Sequence, residues 1–408
     1  MLVYASLLLS AALIAAVPSP PVVQVREPKV TLPFVGRLNV TGRTVAEIDR
    51  ARAASHLARA SAQPNQSGKR QSLDATNQAV DYIAEVGVGS PPTTYSLLID
   101  TGSSNTWVGA GRAYVRTSTS QATGDLTEVT YGSGFFIGTE FFDTVTLAED
   151  LVITNQGIGA AAISQGFDGV DGILGIGPTD LTEGTVDGIS LIPTVTDSLF
   201  SQGTIPEKVV GVFFAPTTEL SITNGELSFG TIDDTKATSD VVFTPITSTS
   251  PASEFFGIDQ SITYGAAGEN VLSTTAGIVD TGTTLLLIAT DAFNTYTSLT
   301  GATIDNNIGL LSISSEGFSN LQSLFFNIGG TSFEFTPNAQ LWPRALNTAI
   351  GGSANDIFLI VADLGSNSGE GFDFVNGMVF LERFYSVFDS ANNQVGFATT
   401  AHTTDETN

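Results

Sequence analysis

The sequence predicts a mainly β protein made of two similar halves, and three observations carry that prediction. From about residue 78 the chain runs in short segments rich in Val, Ile, Phe and Thr, such as Tyr82 to Gly89 and Val209 to Phe214, separated by Gly, Ser, Asn and Asp. Branched and aromatic residues between turn formers mark strands. The triplet Asp100-Thr101-Gly102 returns 180 positions later as Asp280-Thr281-Gly282. Both copies follow an apolar run (Ser96 to Ile99; Gly277 to Val279). Both precede hydroxyl residues (Ser103-Ser104; Thr283-Thr284) and leave through a second apolar run (Trp107-Val108; Leu285 to Ile288), so one supersecondary unit is used twice. Third, the triplet spacing divides residues 71–408 into two comparable lengths, with a changeover near 245 to 262 around Ser248-Thr249-Ser250-Pro251. With 408 residues the chain can bury two cores. The expected lobes are 71–250, with the first triplet, and 251–408, with the second.

Ahead of these lobes, residues 1–16 form a short apolar stretch ending in small residues before Val17-Pro18. It reads as a secretory signal peptide, too short and wrongly flanked for a membrane anchor. Residues 17–70 are expected to form a propeptide. Residues 1–70 hold nine Lys or Arg against three acids, whereas the remainder holds six against 38, within a net charge of −26. A basic leader before an acidic body is what a removable electrostatic clamp requires, with a solvated basic linker as the plainer alternative. Thr44-Val45-Ala46-Glu47 has capping-box spacing, so a short helix is expected after it. The dibasic pair Lys69-Arg70, in a Gln/Ser/Gly/Asn-rich stretch, suits a processing protease. Two glycosylation sequons, Asn39-Val40-Thr41 and Asn65-Gln66-Ser67, also fall in the leader. Further on, Pro193 to Gln202 and Asp291 to Leu299 read as helices, closed by Gly203 and Gly301.

Composition narrows the chemistry. The chain has no cysteine and two histidines, His56 and His402, neither placed by the sequence within a folded site. Thiol nucleophiles, Cys-ligated metals, a Ser-His-Asp triad and His-ligated metals are thereby set aside, leaving carboxylates as the acid–base groups. No cofactor or metal is expected. So acidic a body argues against a nucleic-acid partner, and nothing past the N-terminus resembles a membrane span. The same charge imbalance predicts falling stability toward neutral pH.

A lone Asp-Thr-Gly is as readily an ordinary turn as a site. The matched pair points to two carboxylates built to meet, with Gly102 and Gly282 admitting close backbone approach. At this point a secreted carbohydrate-active enzyme with two carboxylates and a β-rich adhesin remain alternatives.

Leu98 to Trp107 and Gly277 to Thr284 resemble the two signatures of the pepsin-like aspartic proteases, within them a cysteine-free fungal secreted type, and the resemblance covers nearly everything after residue 76. Val129-Thr130-Tyr131-Gly132-Ser133-Gly134 resembles the flap hairpin, and Phe167 to Gly175 the apolar-apolar-Gly segment behind the first Asp loop. The second such segment departs from the pattern, reading Val375-Asn376-Gly377-Met378, which bears on the acidity of the second loop. The resemblance implies a bilobal pepsin-like fold of two β-barrel-like lobes with a few short helices, and an acid-acting endopeptidase made as a zymogen. It implies Asp100 and Asp280 as catalytic residues, with Thr101, Ser103 and Thr281 supporting the dyad. Tyr131, Gly132, Ser133, Gly102, Gly282, Thr283 and Trp107 are implied to bind substrate, with Trp107 on the pocket wall. Protein or peptide substrates and pepstatin-type inhibitors are the implied partners of a monomer. A silent peptide-binding or inhibitor relative is the competing reading, although such relatives usually lose an Asp or the flap tyrosine.

Overall fold

The computed structural model describes residues 30–38, 43–61, 80–132 and 134–407. The signal stretch, both sequons, Lys69-Arg70 and Ser133 lie outside them.

The leader's first described segment is a strand that the residue pattern alone did not predict. β1 (Val30–Leu38) alternates buried Leu32 and Phe34 with outward residues and lies in the middle of the largest sheet. It pairs with β2 (Val80–Val88) on one side and, across a bulge after Phe34, with the strand Ser221–Phe229 on the other. Phe34 makes edge contacts to Tyr82 and Phe214 with ring centroids 5.1 and 5.0 Å apart. A capping box at Thr44 and Glu47 then starts α1 (Val45–Ser61), a 17-residue helix longer than expected.

After β2, strand β3 (Thr93–Asp100) carries the first triplet at its end. β4 (Thr106–Val108), β5 (Gln121–Thr130), β6 (Phe135–Ala148), β7 (Leu151–Gln165) and β8 (Gly172–Gly175) follow. The order β3-β8-β4-β7 is parallel, antiparallel, then parallel. In the second half the same arrangement is rebuilt. The strand Glu269–Val279 runs parallel to Phe374–Asn376, which is antiparallel to Leu286–Ile288, itself parallel to Val361–Asp363. Each Asp therefore sits where a strand ends beside a crossing apolar segment, and the duplication read from the triplets is a duplication of topology.

The last strands, Phe384–Asp389 and Gln394–Thr399, join the thirteen-stranded sheet through Val209–Phe213. The expected helices appear as Val195–Ser201, capped by Thr194 and Asp197, and Thr290–Thr300, ended by Gly301 in the left-handed region at φ 70°. No helix among the described residues is long and apolar enough to cross a membrane.

Glu140, on β6, is only 1% exposed, and its Oε1 has no hydrogen-bond partner. Burial, with a contribution from the Asp125 charge, pushes its carboxyl up from 4.5 to about 8. The folded chain thus keeps a proton there that the unfolded chain gives up above 4.5, so this contribution is complete below 4.5 and lost as pH rises through 8. The expected loss is on the order of 3 kcal/mol by neutrality. Melting temperature should fall from about pH 5 to 8, and less steeply in Glu140→Gln; equal slopes would contradict this.

Candidate active site

The two triplets meet between the halves of the chain, joined by reciprocal hydrogen bonds. The Thr101 amide donates to Thr281 Oγ1 and the Thr281 amide to Thr101 Oγ1, both at 2.9 Å. The two hydroxyls in turn donate to the carbonyls of Val279 and Ile99, each at 3.1 Å. All of these groups are buried. Net stabilisation per buried hydrogen bond is only about 1 kcal/mol, but leaving a partner unmade costs more, so the four bonds fix the loops against each other.

That brace positions Asp100 and Asp280, both fully buried. Asp100 Oδ1 accepts from the Gly102 amide at 2.8 Å and Oδ2 from the Ser103 hydroxyl at 2.5 Å. Asp280 repeats this with the Gly282 amide at 2.9 Å and the Thr283 hydroxyl at 2.6 Å. Each glycine also backs onto the other carboxylate. A β-carbon on Gly102 would stand 2.7 Å from Asp280 Oδ1, and one on Gly282 2.9 Å from Asp100 Oδ1, so only glycine lets the loops approach this closely.

Sequence reasoning did not identify which basic residue occupies this site. α1 crosses the carboxylates and delivers Arg52, 1% exposed, whose Nη2 donates to Asp100 Oδ1 at 2.5 Å and whose Nε donates to Asp280 Oδ2 at 2.8 Å. His56, one turn on, is a correction to the expectation that neither histidine stands in a site. It is 7% exposed, with Nε2 3.5 Å from Asp280 Oδ2 and its ring edge-on to Phe255 at 5.1 Å. Burial by itself would raise the Asp280 carboxyl; the Arg52 charge, assisted by His56, outweighs it and holds the group well below the usual range.

Three further contacts seat the helix. Asp49, 2% exposed, accepts the amides of Thr284 and Leu285 at 3.1 and 2.7 Å. Burial nevertheless pushes its carboxyl up to about 7 against those bonds. Arg50 Nε donates to the Asp363 carbonyl at 3.0 Å, and Arg59 donates to the Leu181 carbonyl.

The expected flap is the hairpin between β5 and β6, whose tip is closed by the Tyr131 amide donating to the Gly134 carbonyl at 2.7 Å. Gly132 rests on the helix backbone at Ala51 and Arg52, leaving no room for a β-carbon. Tyr131 is 6% exposed, its hydroxyl pushed up by burial and by the Asp100 charge. Trp107 lies wholly buried in the same cluster as Tyr131, stacked on Phe136 at 4.3 Å and edge-on to Phe167 at 4.8 Å.

Behind the second loop, the departure at Asn376 has a physical reason. Its side-chain amide pairs reciprocally with that of Gln260 at 2.8 and 3.1 Å, both residues fully buried, so each polar group that replaces an apolar one is satisfied. Met378 contributes its amide to the Thr283 carbonyl at 2.7 Å. Among the described residues no cluster of His, Cys, Asp and Glu could hold a metal.

Comparison with known proteins places this geometry. The family model for eukaryotic aspartyl proteases matches residues 81–400. Polyporopepsin of Irpex lacteus is 62% identical over 339 residues, covering 83% of this chain and 99% of its own. Gastricsin of Cavia porcellus is 30% identical over 78% of this chain and 80% of its own. The crystal structure of aspartic proteinase from Irpex lacteus superposes with a TM-score of 0.81 at 54% identity, covering 93% of this chain and all of that one. With paired Asp-Thr-Gly loops and a match over most of its length, the chain belongs to the eukaryotic aspartyl proteases and is a pepsin-like aspartic endopeptidase.

Proposed function

We propose that the chain is a secreted zymogen of an acid-acting endopeptidase, in which residues 17–70 occlude a catalytic dyad of Asp100 and Asp280. The observation that carries the proposal is Arg52, which ion-pairs with both carboxylates at once. The basic leader thus acts as the clamp expected from its charge. It is a docked segment, with β1 in the sheet and α1 across the carboxylates, so its release must also free a place between β2 and its former neighbour.

Once the leader departs, two adjoining buried carboxylates share one proton at acid pH, as aspartic-protease dyads do. The ionised member takes a proton from a water held between Asp100 and Asp280, and the protonated member donates to the scissile carbonyl of a protein or peptide substrate. A tetrahedral diol forms and collapses without a covalent intermediate. Ser103 and Thr283 hydrogen-bond the carboxylates, while Thr101 and Thr281 hold their separation. Gly102 and Gly282 keep the loops close. Tyr131, Gly132 and Ser133 close over substrate, and Trp107 supports Tyr131 from behind. A pepstatin-type inhibitor would occupy the same cleft in one monomeric molecule.

Cleavage is assigned to Lys69-Arg70. Lys69→Ala with Arg70→Ala should leave the secreted chain at full length and inactive, read by mass and by peptide hydrolysis; normal processing of this variant would overturn the assignment.

A further inference from the structure

Arg50 marks a second place where the leader sets a guanidinium against a carboxylate. It leaves α1 two residues before Arg52, about 200° around the axis and so on nearly the opposite side of the helix. Its Nε donates to the Asp363 carbonyl at 3.0 Å, and its Nη2 lies 3.7 Å from Asp363 Oδ2. Its stem crosses Gly365, where a β-carbon would stand 3.0 Å from Arg50 Cδ, so the bare backbone leaves room for the side chain to lie down.

The receiving group is built into the second half of the chain. Asp363 ends the strand Val361–Asp363, in register with Ile288 of Leu286–Ile288, the strand that leaves the second Asp loop. Its Oδ1 accepts from the Thr290 hydroxyl at 2.6 Å and from the Gly365 amide at 2.9 Å, which fixes the carboxylate and leaves Oδ2 for Arg50. Removal of the leader therefore leaves a fixed carboxylate oxygen and a main-chain carbonyl on the space vacated by a guanidinium. From Leu285, whose amide holds Asp49, to Ile288 beside Asp363 is about 10 Å of strand, the length of three residues of extended peptide.

We propose that Asp363 and the bare backbone at Gly365 form a subsite for a basic side chain, taking Arg or Lys of a peptide substrate about three or four residues from the scissile bond, on the side of the Thr284 and Leu285 amides. A helix and an extended peptide present their backbones differently, so what passes from leader to substrate is the place of the guanidinium and not the path of the chain. Asp363 is a specificity-determining residue, not a catalytic one. The inference rests on the zymogen reading only in that Arg50 must leave before substrate enters.

The test uses processed enzyme at about pH 5, where an ordinary aspartate is ionised, and paired peptides that differ only by Arg or its uncharged counterpart citrulline, placed in turn at the second to fourth residue on either side of the cleaved bond. The readout is the kcat/KM ratio of each pair. The ion pair is partly exposed, so the expected preference for Arg is about three- to fivefold, confined to one side of the bond, and falls toward unity in Asp363→Asn. The asparagine keeps a carbonyl oxygen for the Thr290 hydroxyl and the Gly365 amide, so the variant should fold, which its melting temperature checks. The dependence on position is read in the unaltered enzyme and needs no substitution. A ratio of one at every position, a preference spread evenly over all positions, or one that Asp363→Asn leaves intact would overturn the subsite. Activity of the full-length chain before any cleavage would instead count against the zymogen reading, and the peptide ratios would still decide the subsite.

Discussion

Arg52→Leu, made in a chain that cannot be cut at Lys69-Arg70, should turn a silent full-length protein into an active one. Arg52 is the partner of two buried carboxylates. Removing one partner of a buried ion pair costs about 3–5 kcal/mol, because the other charge is left without compensation. The docked leader would lose that amount relative to the undocked one, raising the open fraction by roughly two to four orders of magnitude. Peptide hydrolysis at about pH 5 by the uncut variant, against the uncut parent, reads the effect directly. A variant as silent as its parent would mean that strand β1 and the other helix contacts hold the leader without the clamp.

Acid should act on the same contact. The Asp280 carboxyl is held well below its usual range while the leader is docked. That contribution to docking is present above the ordinary carboxylate range and is lost as pH falls through the depressed value. Asp49 has the opposite sign. Its docked carboxyl is raised from 3.8 to about 7, so it favours docking progressively as pH falls from 7 toward 3.8. Acid release is therefore assigned to the Arg52 clamp, with Asp49 resisting it.

Asp100→Asn in the processed enzyme should lower kcat by roughly three orders of magnitude or more, the upper part of what a positioned acid–base group supplies. The amide carbonyl can still accept from the Gly102 amide, which bonds Asp100 Oδ1 at 2.8 Å, and the amide NH2 can donate to the Ser103 hydroxyl, which then turns from donor to acceptor at the place of its 2.5 Å bond to Oδ2. The fold should therefore survive. What disappears is the ability to share or transfer a proton, which requires a second carboxyl beside Asp280.

Much of this site was legible because its chemistry lies in local strings. Asp100 and Asp280 announced themselves by a repeated triplet in a repeated apolar setting, and the helix at Thr44 by its capping box. What remained hidden depends on register across long separations. The leader's charge showed that a clamp was available, yet not which of nine basic residues reaches the carboxylates, since that is fixed by the turn of α1 on which Arg52 falls. His56 looked like part of a helical linker because its neighbours, Asp280 and Phe255, lie about 200 positions away. The strand at Val30 was obscured by Pro33 and by the lack of a hairpin partner nearby; its partner Ser221–Phe229 is far along the chain. Asn376 read as a defect until Gln260, 116 residues earlier, supplied the matching amide.

The decisive experiment for the shared-proton dyad is cleavage of denatured haemoglobin at about pH 3.5 by the processed protein, with and without pepstatin, beside its Asp100→Asn variant. Pepstatin-sensitive hydrolysis that vanishes in the variant is the expected outcome. A correctly processed, folded protein with no such activity, or activity that survives the substitution, would overturn the dyad.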